Sequence, residues 1–260
     1  MRLLHNGEWF DPLPPGATPE QSFEDLLIDR ASELFPEFIV RHWANEIQDR
    51  AGNIRKPDIL MLERNLKSWH IVEVERSDHS LHDHVLPQVE AFVGADIGKQ
   101  VVNKVIPTFP EFTDLQISDL LISVAHETTV IVDRPRGDWS EPIRSRGGRL
   151  AVVQRFRNRH GAVVLSASGM MPEGSGDVVS ELRVPRHLYR GKLLVATPAP
   201  LRGYSTIPVA GPYGTEDWRI REYGSDMFLD PPTVRDLNKP GLLLEVEPNQ
   251  YVIREHRRVI

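Results

Sequence analysis

Two apolar runs separated by a short polar stretch stand out in the first half of the chain. Residues 59–62 (ILML) form the first run, and residues 69–75 (WHIVEVE) form the second, after the polar residues 63–68 (ERNLKS). Two extended runs around a short polar connection predict a β-hairpin. Because strand side chains alternate between the two faces, Glu73 and Glu75 share one face of the second strand.

Helical patterns precede and follow this hairpin. The stretch Thr18-Pro19-Glu20-Gln21 predicts a helix start with Thr18 as the N-cap, and an apolar stripe continues to residue 34 or 35. Residues 77–93 predict a second helix, in which Pro87 indicates a kink or a late start, and residues 94–105 continue the helical pattern. This order predicts a mixed α/β core with helices packed on a sheet. Further strands are predicted at residues 37–48, 120–125 and 150–156.

The pattern changes after about residue 159, where short apolar runs are separated by Gly, Pro, Asn and Asp. This spacing predicts a small all-β barrel or sandwich, with strands at residues 162–166, 181–184, 193–196, 218–221, 242–246 and 251–254. We therefore expect two domains. The first covers residues 1–147, with a last core strand that extends to about residue 159, and the β-rich second domain covers residues 148–260. The turn-rich residues up to about Ala17 are expected to form a surface arm.

The amino-acid composition excludes several classes of protein and of metal site. The chain has 260 residues, of which 40% are apolar and none is cysteine, so disulfides and thiolate metal sites are excluded. No apolar run approaches the roughly 20 residues of a membrane-spanning helix. The N-terminus MRLLHNGEWF lacks the apolar core of a secretory signal. We therefore expect a cytoplasmic protein that has no membrane partner.

Charge is distributed unevenly along the chain. Residues 148–260 carry 16 basic and 12 acidic residues (net +4), whereas the remainder carries 15 and 25 (net −10), which gives −6 in total. Three of the acidic residues, Asp58, Glu73 and Glu75, should converge at one end of the predicted hairpin. Such a group would repel itself without a cation. Mg²⁺ and Mn²⁺ are hard ions that prefer oxygen ligands, and they would turn the cluster into a binding site.

Pro57-Asp58, fourteen intervening residues and then Glu73-Val74-Glu75 resemble the signature of the PD-(D/E)XK nuclease superfamily, in the variant with Glu at the last position. The resemblance implies a restriction-endonuclease-like mixed sheet flanked by helices. In that family a helix with an acidic residue precedes the acidic hairpin, and a helix that often bears Gln follows it. The resemblance covers about residues 18–130, half of the chain, and the candidates stand in the family order: Glu24, Asp58, Glu73, Glu75 and Gln88.

The resemblance implies how a metal would be held. Asp58 and Glu73 would bind Mg²⁺ or Mn²⁺, with the backbone carbonyl of Val74 as a further ligand. Glu24 would complete the site from its helix, with Asp25 as the alternative in a shifted register. One or two such ions would polarise a phosphodiester, generate hydroxide from bound water and stabilise the leaving oxygen.

Two further positions concern the catalytic group itself. Gln88, with an aromatic residue four positions later, resembles the helix motif of the RecB-like and resolvase-like branches, in which Gln orients the site. Glu75 departs from the family, whose usual residue is Lys, although some restriction endonucleases also carry Glu there. Glu75 would then bind or position the nucleophilic water. The missing positive charge would come from a lysine elsewhere, for which the candidates are Lys56, Lys67 and Lys99.

Two clusters of basic side chains lie outside the family pattern. The first comprises His79, His82 and His84. We favour a solvated, helix-capping or phosphate-contacting group over a zinc site here, because no Cys and no clear fourth ligand accompany these histidines. The second alternates along a predicted strand and would form a ridge that binds phosphates of nucleic acid, unless it is an exposed face balanced by acids; it comprises Arg155, Arg157 and Arg159.

Together these features predict a metal-dependent endonuclease that hydrolyses phosphodiester bonds, in DNA rather than RNA. Cleavage of both strands would favour a homodimer, and the β-rich domain would recognise nucleic acid or a partner. One alternative is a catalytically inactive nuclease fold that binds nucleic acid or protein, and Glu75 in place of Lys favours it. A second alternative places the function in the β-rich domain and makes the acidic hairpin incidental.

Overall fold

A computed structural model describes residues 2–14, 17, 19–43, 45–49, 52, 54–174, 177–185, 191–211, 214–233, 241–247 and 250–255. The chain divides into two compact units, Met1–Asp29 with Val40–Glu173 and Arg30–Ile39 with Gly174–Ile260. Within the described part of the chain, no helix combines the length and the apolar character needed to cross a membrane.

A large mixed sheet organises the first half of the protein. The strands up to residue 173 are β1 (Leu3–His5), β2 (Glu8–Pro12), β3 (Phe38–His42), β4 (Ile47–Gln48), β5 (Ile54–Arg55), β6 (Ile59–Glu63), β7 (Trp69–Glu75), β8 (Glu127–Val132), β9 (Gly148–Arg157) and β10 (Val163–Gly169). Eight of them form one sheet in the order β1-β2-β9-β8-β7-β6-β3, with β10 also paired to β9. Strands β7, β8 and β9 are parallel, whereas β6 pairs antiparallel to β7. The predicted hairpin is thus confirmed as β6 and β7.

The first half of the chain also contains helices, as the apolar periodicity predicts, and some of them pack on this sheet. The helices are α1 (Glu20–Asp29), α2 (Ala31–Leu34), a π-helical turn (Leu81–Val85), α3 (Leu86–Val93), α4 (Lys99–Val105), α5 (Asp114–Ser123) and α6 (Ser140–Arg144). The π-helical turn, α3 and α6 bury apolar side chains against β8 and β9 in one cluster: Leu81, Val85, Leu86, Val89, Val130, Val132, Trp139, Ile143, Leu150 and Val152. The fold class is therefore mixed α/β, as expected.

The two predicted helices that flank the hairpin both form. Phe23 and Leu27 of α1 are buried one turn apart, while the predicted N-cap Thr18 lies outside the described residues. The helix predicted to run to residue 34 is divided into α1 and α2. Pro87 stands in the first turn of α3, where its missing N–H costs no hydrogen bond. The late helix start indicated by Pro87 is therefore confirmed.

The strand predicted at residues 120–125 is wrong, because this stretch is the end of α5. The helix begins at a capping box, in which the side chain of Thr113 accepts from the N–H of Gln116, and the Gln116 side chain accepts from the N–H of Thr113. Leu120 is 2% exposed and Ile122 is 57% exposed. The apolar run therefore includes residues on the buried face of the helix and a residue on its exposed face. The buried strand follows as β8.

Two further predictions about the first half are corrected. The residues before Ala17 include the hairpin of β1 and β2 instead of an arm, and β2 joins the sheet through β9. Asn6 (φ 49°) and Gly7 (φ 79°) form its turn, and Asn-Gly is the residue pair that suits such a tight hairpin. The strand predicted at residues 37–48 is limited to β3 and the short β4.

The second half forms a closed seven-stranded barrel, which confirms the β-rich C-terminal domain. Its strands are β11 (Asp177–Arg183), β12 (Leu193–Val195), β13 (Thr206–Gly211), β14 (Gly214–Tyr223), β15 (Asp226–Asp230), β16 (Gly241–Glu247) and β17 (Gln250–Glu255). They close in the order β11-β12-β15-β14-β13-β17-β16, which leaves no strand edge unpaired. The barrel buries Leu182, Leu193, Val195, Leu201, Ile207, Val209, Trp218, Met227, Leu229, Leu243 and Tyr251.

The expected extension of the last core strand to about residue 159 fits β9, but the first unit continues further, to Glu173. Strand β9 runs from Gly148 to Arg157 in the middle of the first sheet, and β10 pairs with its residues Ala151 to Arg157. The run predicted at residues 162–166 is therefore part of this sheet instead of the barrel. Strands β13 and β15 were not predicted; Pro208 inside β13 argues against a strand in a sequence pattern, yet here it pairs with Asp217.

Candidate active site

The hairpin of β6 and β7 sets the position of Asp58. Ile59 lies opposite Val72 in the antiparallel register, so the same register brings Asp58, one residue earlier, beside Glu73. Oδ2 of Asp58 accepts a hydrogen bond from the N–H of Val74 over 2.7 Å. This contact holds Asp58 against the strand that carries the other two predicted acids.

Glu73 and Glu75 lie on one face of β7, in surroundings that are largely apolar. Their partners on β8 in the parallel register are Val130 and Val132, which belong to the cluster beneath α3 and α6. Glu73 is 3% exposed and Glu75 is 1% exposed. The alternation of the strand therefore fixes two carboxylates in a part of the molecule that disfavours charge.

Helix α3 brings Gln88 to the same place. Its Nε2 donates a hydrogen bond to Oε1 of Glu73. The π-helical turn before α3 is capped by Ser80, whose Oγ accepts from the N–H of Asp83 at 3.3 Å, and Pro87 then starts α3. Gln88, named from its place in the family order, therefore contacts the acidic hairpin.

Helix α1 supplies two more carboxylates. Glu24 is 8% exposed and lines the same pocket as Asp58, and the charges of Glu24 and Glu20 both raise the pKa of Asp58. Asp25, the alternative candidate, is exposed and pairs with Nε2 of His42 at 3.3 Å. Glu20 was not among the predicted residues, although two acids at i and i+4 on one helix face are a signal that the sequence contains.

A pocket opens beside these acids, with a volume of ≈ 390 Å³ and a lining of Gln21, Glu24, His42, Trp43, Lys56, Pro57 and Asp58. Lys56 is exposed at its rim. Lys67 lies in the connection between β6 and β7, at the opposite end of the hairpin from Asp58, and Lys99 begins α4. Of the three lysines considered as sources of positive charge, Lys56 is thus the one that lines the pocket.

The carboxyl groups of the hairpin resist ionisation. Burial raises the pKa of Asp58 to about 7, against the opposing hydrogen bond from Val74, and the charges of Glu24, Glu20 and Glu75 raise it further. Burial and then the charges of Asp58 and Glu75 hold the pKa of Glu73 well above its ordinary value. Burial also raises the pKa of Glu75 to about 7, against the opposing effect of His84. The folded chain therefore holds these carboxyl groups where their ionised forms need a balancing positive charge.

Several oxygens of this cluster have no hydrogen-bond donor when the acids are ionised. Among the described residues, they include Oε2 of Glu73, Oε1 of Glu75 and Oε2 of Glu20, all buried. Buried polar atoms are normally satisfied, so unsatisfied carboxylate oxygens in one acidic cluster fit a bound cation. The oxygen donors of Asp58 and Glu73 fit the preference of Mg²⁺ or Mn²⁺.

Two of the three histidines in the predicted cluster contact Glu75. Nδ1 of His79 lies 2.6 Å from Oε2 of Glu75, and Nε2 of His84 lies 3.4 Å from Oε1 of the same residue. The two rings meet edge to face, with centroids 4.8 Å apart. His84 is itself exposed, and so is His82, which does not join this contact. The donor atoms of Glu75, His79 and His84 all lie within 4.8 Å of one another, close enough for one metal ion. An acidic partner for these histidines is not apparent in the sequence, where Glu75 belongs to the hairpin pattern.

The predicted arginine ridge does not form as one row. Strand β9 ends at Arg157, so Arg159 lies in the following turn, where its Nε is 3.0 Å from Nε2 of His160. The guanidinium of Arg155 stacks over the ring of Phe23 at 5.2 Å, and burial lowers its pKa. Arg155 therefore packs on α1, and Arg157 is the exposed member that remains on the strand.

The geometry thus gathers the predicted residues Asp58, Glu73, Glu75 and Gln88 at one end of a hairpin, and Glu24 lines the pocket that also contains Asp58. Comparisons of this chain with protein families, with curated proteins and with solved structures gave no match.

Proposed function

We propose that this protein is a metal-dependent nuclease of the PD-(D/E)XK type, which hydrolyses phosphodiester bonds in DNA. The observation that carries the proposal is the convergence of Asp58, Glu73 and Glu75 at one end of the β6–β7 hairpin, with buried oxygens that lack a partner. An acidic group of this kind is costly to the fold unless a cation balances it. The order of helix acid, hairpin and helix Gln also supports a restriction-endonuclease-like core.

In this proposal, the chain holds the metal through Asp58 and Glu73, with the carbonyl of Val74 as a further ligand and Glu24 completing the site. A bound Mg²⁺ would polarise the phosphodiester and lower the pKa of a water molecule. The N–H of Val74 keeps the Asp58 carboxylate in place, and Gln88 restrains the Glu73 carboxylate. Hydrogen bonds of this kind hold the metal ligands in position without binding the metal, and they normally change the affinity of the site for the metal.

Substrate binding would depend strongly on the cation. The front part of the chain, residues 1–147, carries a net charge of −10, which repels a polyphosphate unless the site is loaded. Lys56 lines the pocket and offers one positive charge beside Asp58. The C-terminal barrel would add a second contact to nucleic acid or to a partner, and two copies of the chain would be needed to cut both strands together.

Cleavage assays on the full chain test the proposal directly. Purified protein, freed of metal, should nick or cut supercoiled plasmid and labelled duplex oligonucleotides in Mg²⁺ or Mn²⁺, and not in EDTA. Asp58→Asn and Glu73→Gln should lower the rate at least 100-fold, because each removes a metal ligand. Asp119→Asn is the matched control, since Asp119 is an exposed acid on α5, and it should leave the rate unchanged.

The competing function is binding without cleavage, which the Glu at position 75 favours because the usual Lys is missing. Retention of duplex DNA in gel-shift assays, with no product in either metal even at high enzyme concentration, would assign the chain to that function. Cleavage that persists in Asp58→Asn would instead show a contaminating nuclease and remove the support for this active site.

A further inference from the structure

We propose that Glu75, His79 and His84 form a second metal site, selective for an imidazole-binding divalent ion such as Zn²⁺. The proposal starts from the donor set. Two imidazole nitrogens and one carboxylate oxygen lie within 4.8 Å of one another. Imidazole ligands suit zinc and related transition metals, whereas Mg²⁺ prefers oxygen alone. Two histidines and a glutamate are also a common zinc set that leaves one position open for water.

The second observation is the state of Glu75. Its side chain is 1% exposed, and its Oε1 has no hydrogen-bond donor among the described residues. That oxygen lies 3.4 Å from Nε2 of His84, which matches the roughly 3.4 Å between two ligands of a tetrahedral zinc. A buried, unsatisfied carboxylate oxygen directed at an imidazole nitrogen is a preformed half of a metal site.

The remaining ligand needs only a small movement. Nδ1 of His79 is 2.6 Å from Oε2 of Glu75, a hydrogen-bond distance, so a proton occupies the place that a metal would take. If zinc replaced this proton, the distance between the two atoms would increase by about 0.8 Å, to the roughly 3.4 Å between two ligands of a tetrahedral zinc. Oε2 of Glu20, which is also unsatisfied, lies 3.4 Å from the same nitrogen and is placed to bind the ion or its water.

The local backbone explains why two histidines five residues apart reach one carboxylate. Five residues advance a regular α-helix by about 500°, which would leave the two side chains on different faces. Here His79 precedes the cap residue Ser80, and His84 lies in the π-helical turn Leu81–Val85. A π-helical turn is wider than an α-helical one and is frequent at functional sites. It returns His84 to the ring of His79.

The position of this second site gives it a role that rests on the nuclease function proposed above. Glu75 lies two residues from Glu73 on the same face of β7, at the position where the family carries Lys. A zinc ion on Glu75, His79 and His84 would restore a positive charge at that position. In this proposal, the ion would lie beside the Asp58 and Glu73 carboxylates and would stabilise negative charge on the phosphate that is cleaved there.

Metal binding can be measured without any cleavage assay. The full chain, stripped of metal, would be titrated with Co²⁺ while its visible absorption is recorded, and with Zn²⁺ by calorimetry. We expect one imidazole-ligated ion per chain, with Co²⁺ bands typical of nitrogen and oxygen ligands. His84→Ala and His79→Ala should weaken binding at least about tenfold. His82→Ala is the matched control, because His82 is exposed in the same turn, and it should bind as the wild type does.

The outcomes separate this proposal from the nuclease proposal. Asp58→Asn should lose cleavage yet keep the Co²⁺ spectrum, because Asp58 is not a ligand of the second ion. If the wild type binds Co²⁺ no more tightly than the His79→Ala and His84→Ala double variant, the second site is refuted, whatever the cleavage result. If Co²⁺ binds through both histidines but no DNA is cut, the metal site stands and its proposed role fails. His84→Gln, checked by thermal unfolding, replaces His84→Ala if the latter does not fold.

Discussion

The carboxylate of Asp58 accepts a hydrogen bond from the N–H of Val74, with 2.7 Å between oxygen and nitrogen. This contact joins the acid before β6 to the strand that carries Glu73 and Glu75. The site is therefore assembled by the pairing of two neighbouring strands. The contact carries an electrostatic cost, since it holds the half-buried Asp58 beside two buried acids.

The first prediction concerns stability against pH in metal-free protein. The pKa of Asp58 is about 7 in the folded chain and roughly 4 in an unfolded one. The folded state thus holds its proton more tightly, so the stability from this group is complete below about pH 4 and is lost as the pH rises through about 7. Asp58→Asn keeps an acceptor for Val74 without the charge. We expect it to match the wild type near pH 4 and to melt several degrees higher at pH 8.

The comparison is made by thermal unfolding in EDTA at a series of pH values, with Asp119→Asn as the control. Saturating Mg²⁺ should raise the melting temperature of the wild type at pH 8 and thereby reduce the difference, because a ligand that binds only the folded state stabilises it. A difference between Asp58→Asn and the wild type that does not change with pH would contradict the electrostatic strain inferred for this carboxyl group.

The second prediction concerns Gln88. Its amide donates to Oε1 of Glu73, so Gln88→Ala leaves one more buried oxygen without a donor, and Gln88→Glu adds a further negative charge. We expect Gln88→Ala to lower Mg²⁺-dependent cleavage about 10- to 100-fold, as loss of a contact to a metal ligand normally does. Gln88→Glu should lower it more and should raise the metal concentration required for half-maximal rate.

The control for this series is Glu90→Gln, because Glu90 is an exposed residue of the same helix that pairs with Arg146. Rates are measured over a range of Mg²⁺ concentrations. If both Gln88 variants reached the wild-type rate at the wild-type metal concentration, Gln88 would be a packing residue of α3 and would have no part in the site.

Much of the site could be read from the sequence because strand geometry leaves little freedom. Alternation in β7 places Glu73 and Glu75 on one face, and the hairpin brings Asp58 to them. The zinc-type ligand set could not be read in the same way. It depends on the π-helical turn that returns His84 to His79, and an amino-acid pattern does not distinguish this turn from an α-helix. The position of Glu20 is likewise decided by how α1 packs on β7.

The errors in the fold have equally local causes. Strand β13 contains Pro208, which argues against a strand in a sequence pattern. The hairpin of β1 and β2 turns at Asn6-Gly7, a pair that suits a tight hairpin but is followed by turn-rich residues that also suit a surface arm. The strand predicted at residues 120–125 was inferred from a continuous apolar run. A run of that length has the same composition in a buried strand and at the end of an amphipathic helix, and the capping box at Thr113 decides for the helix.

The last prediction tests this helix. In a strand, Leu120 and Ile122 would share a face and would respond alike to truncation; in α5 they lie about 200° apart, and they are 2% and 57% exposed. Leu120→Ala should therefore cost about 2–5 kcal/mol in the free energy of unfolding, whereas Ile122→Ala should remain within about 0.5 kcal/mol. Urea unfolding followed by circular dichroism measures both, with Leu115→Ala as a second exposed control, since Leu115 is 70% exposed. Equal decreases in the free energy of unfolding for Leu120→Ala and Ile122→Ala would contradict the helix and would favour a strand at this segment.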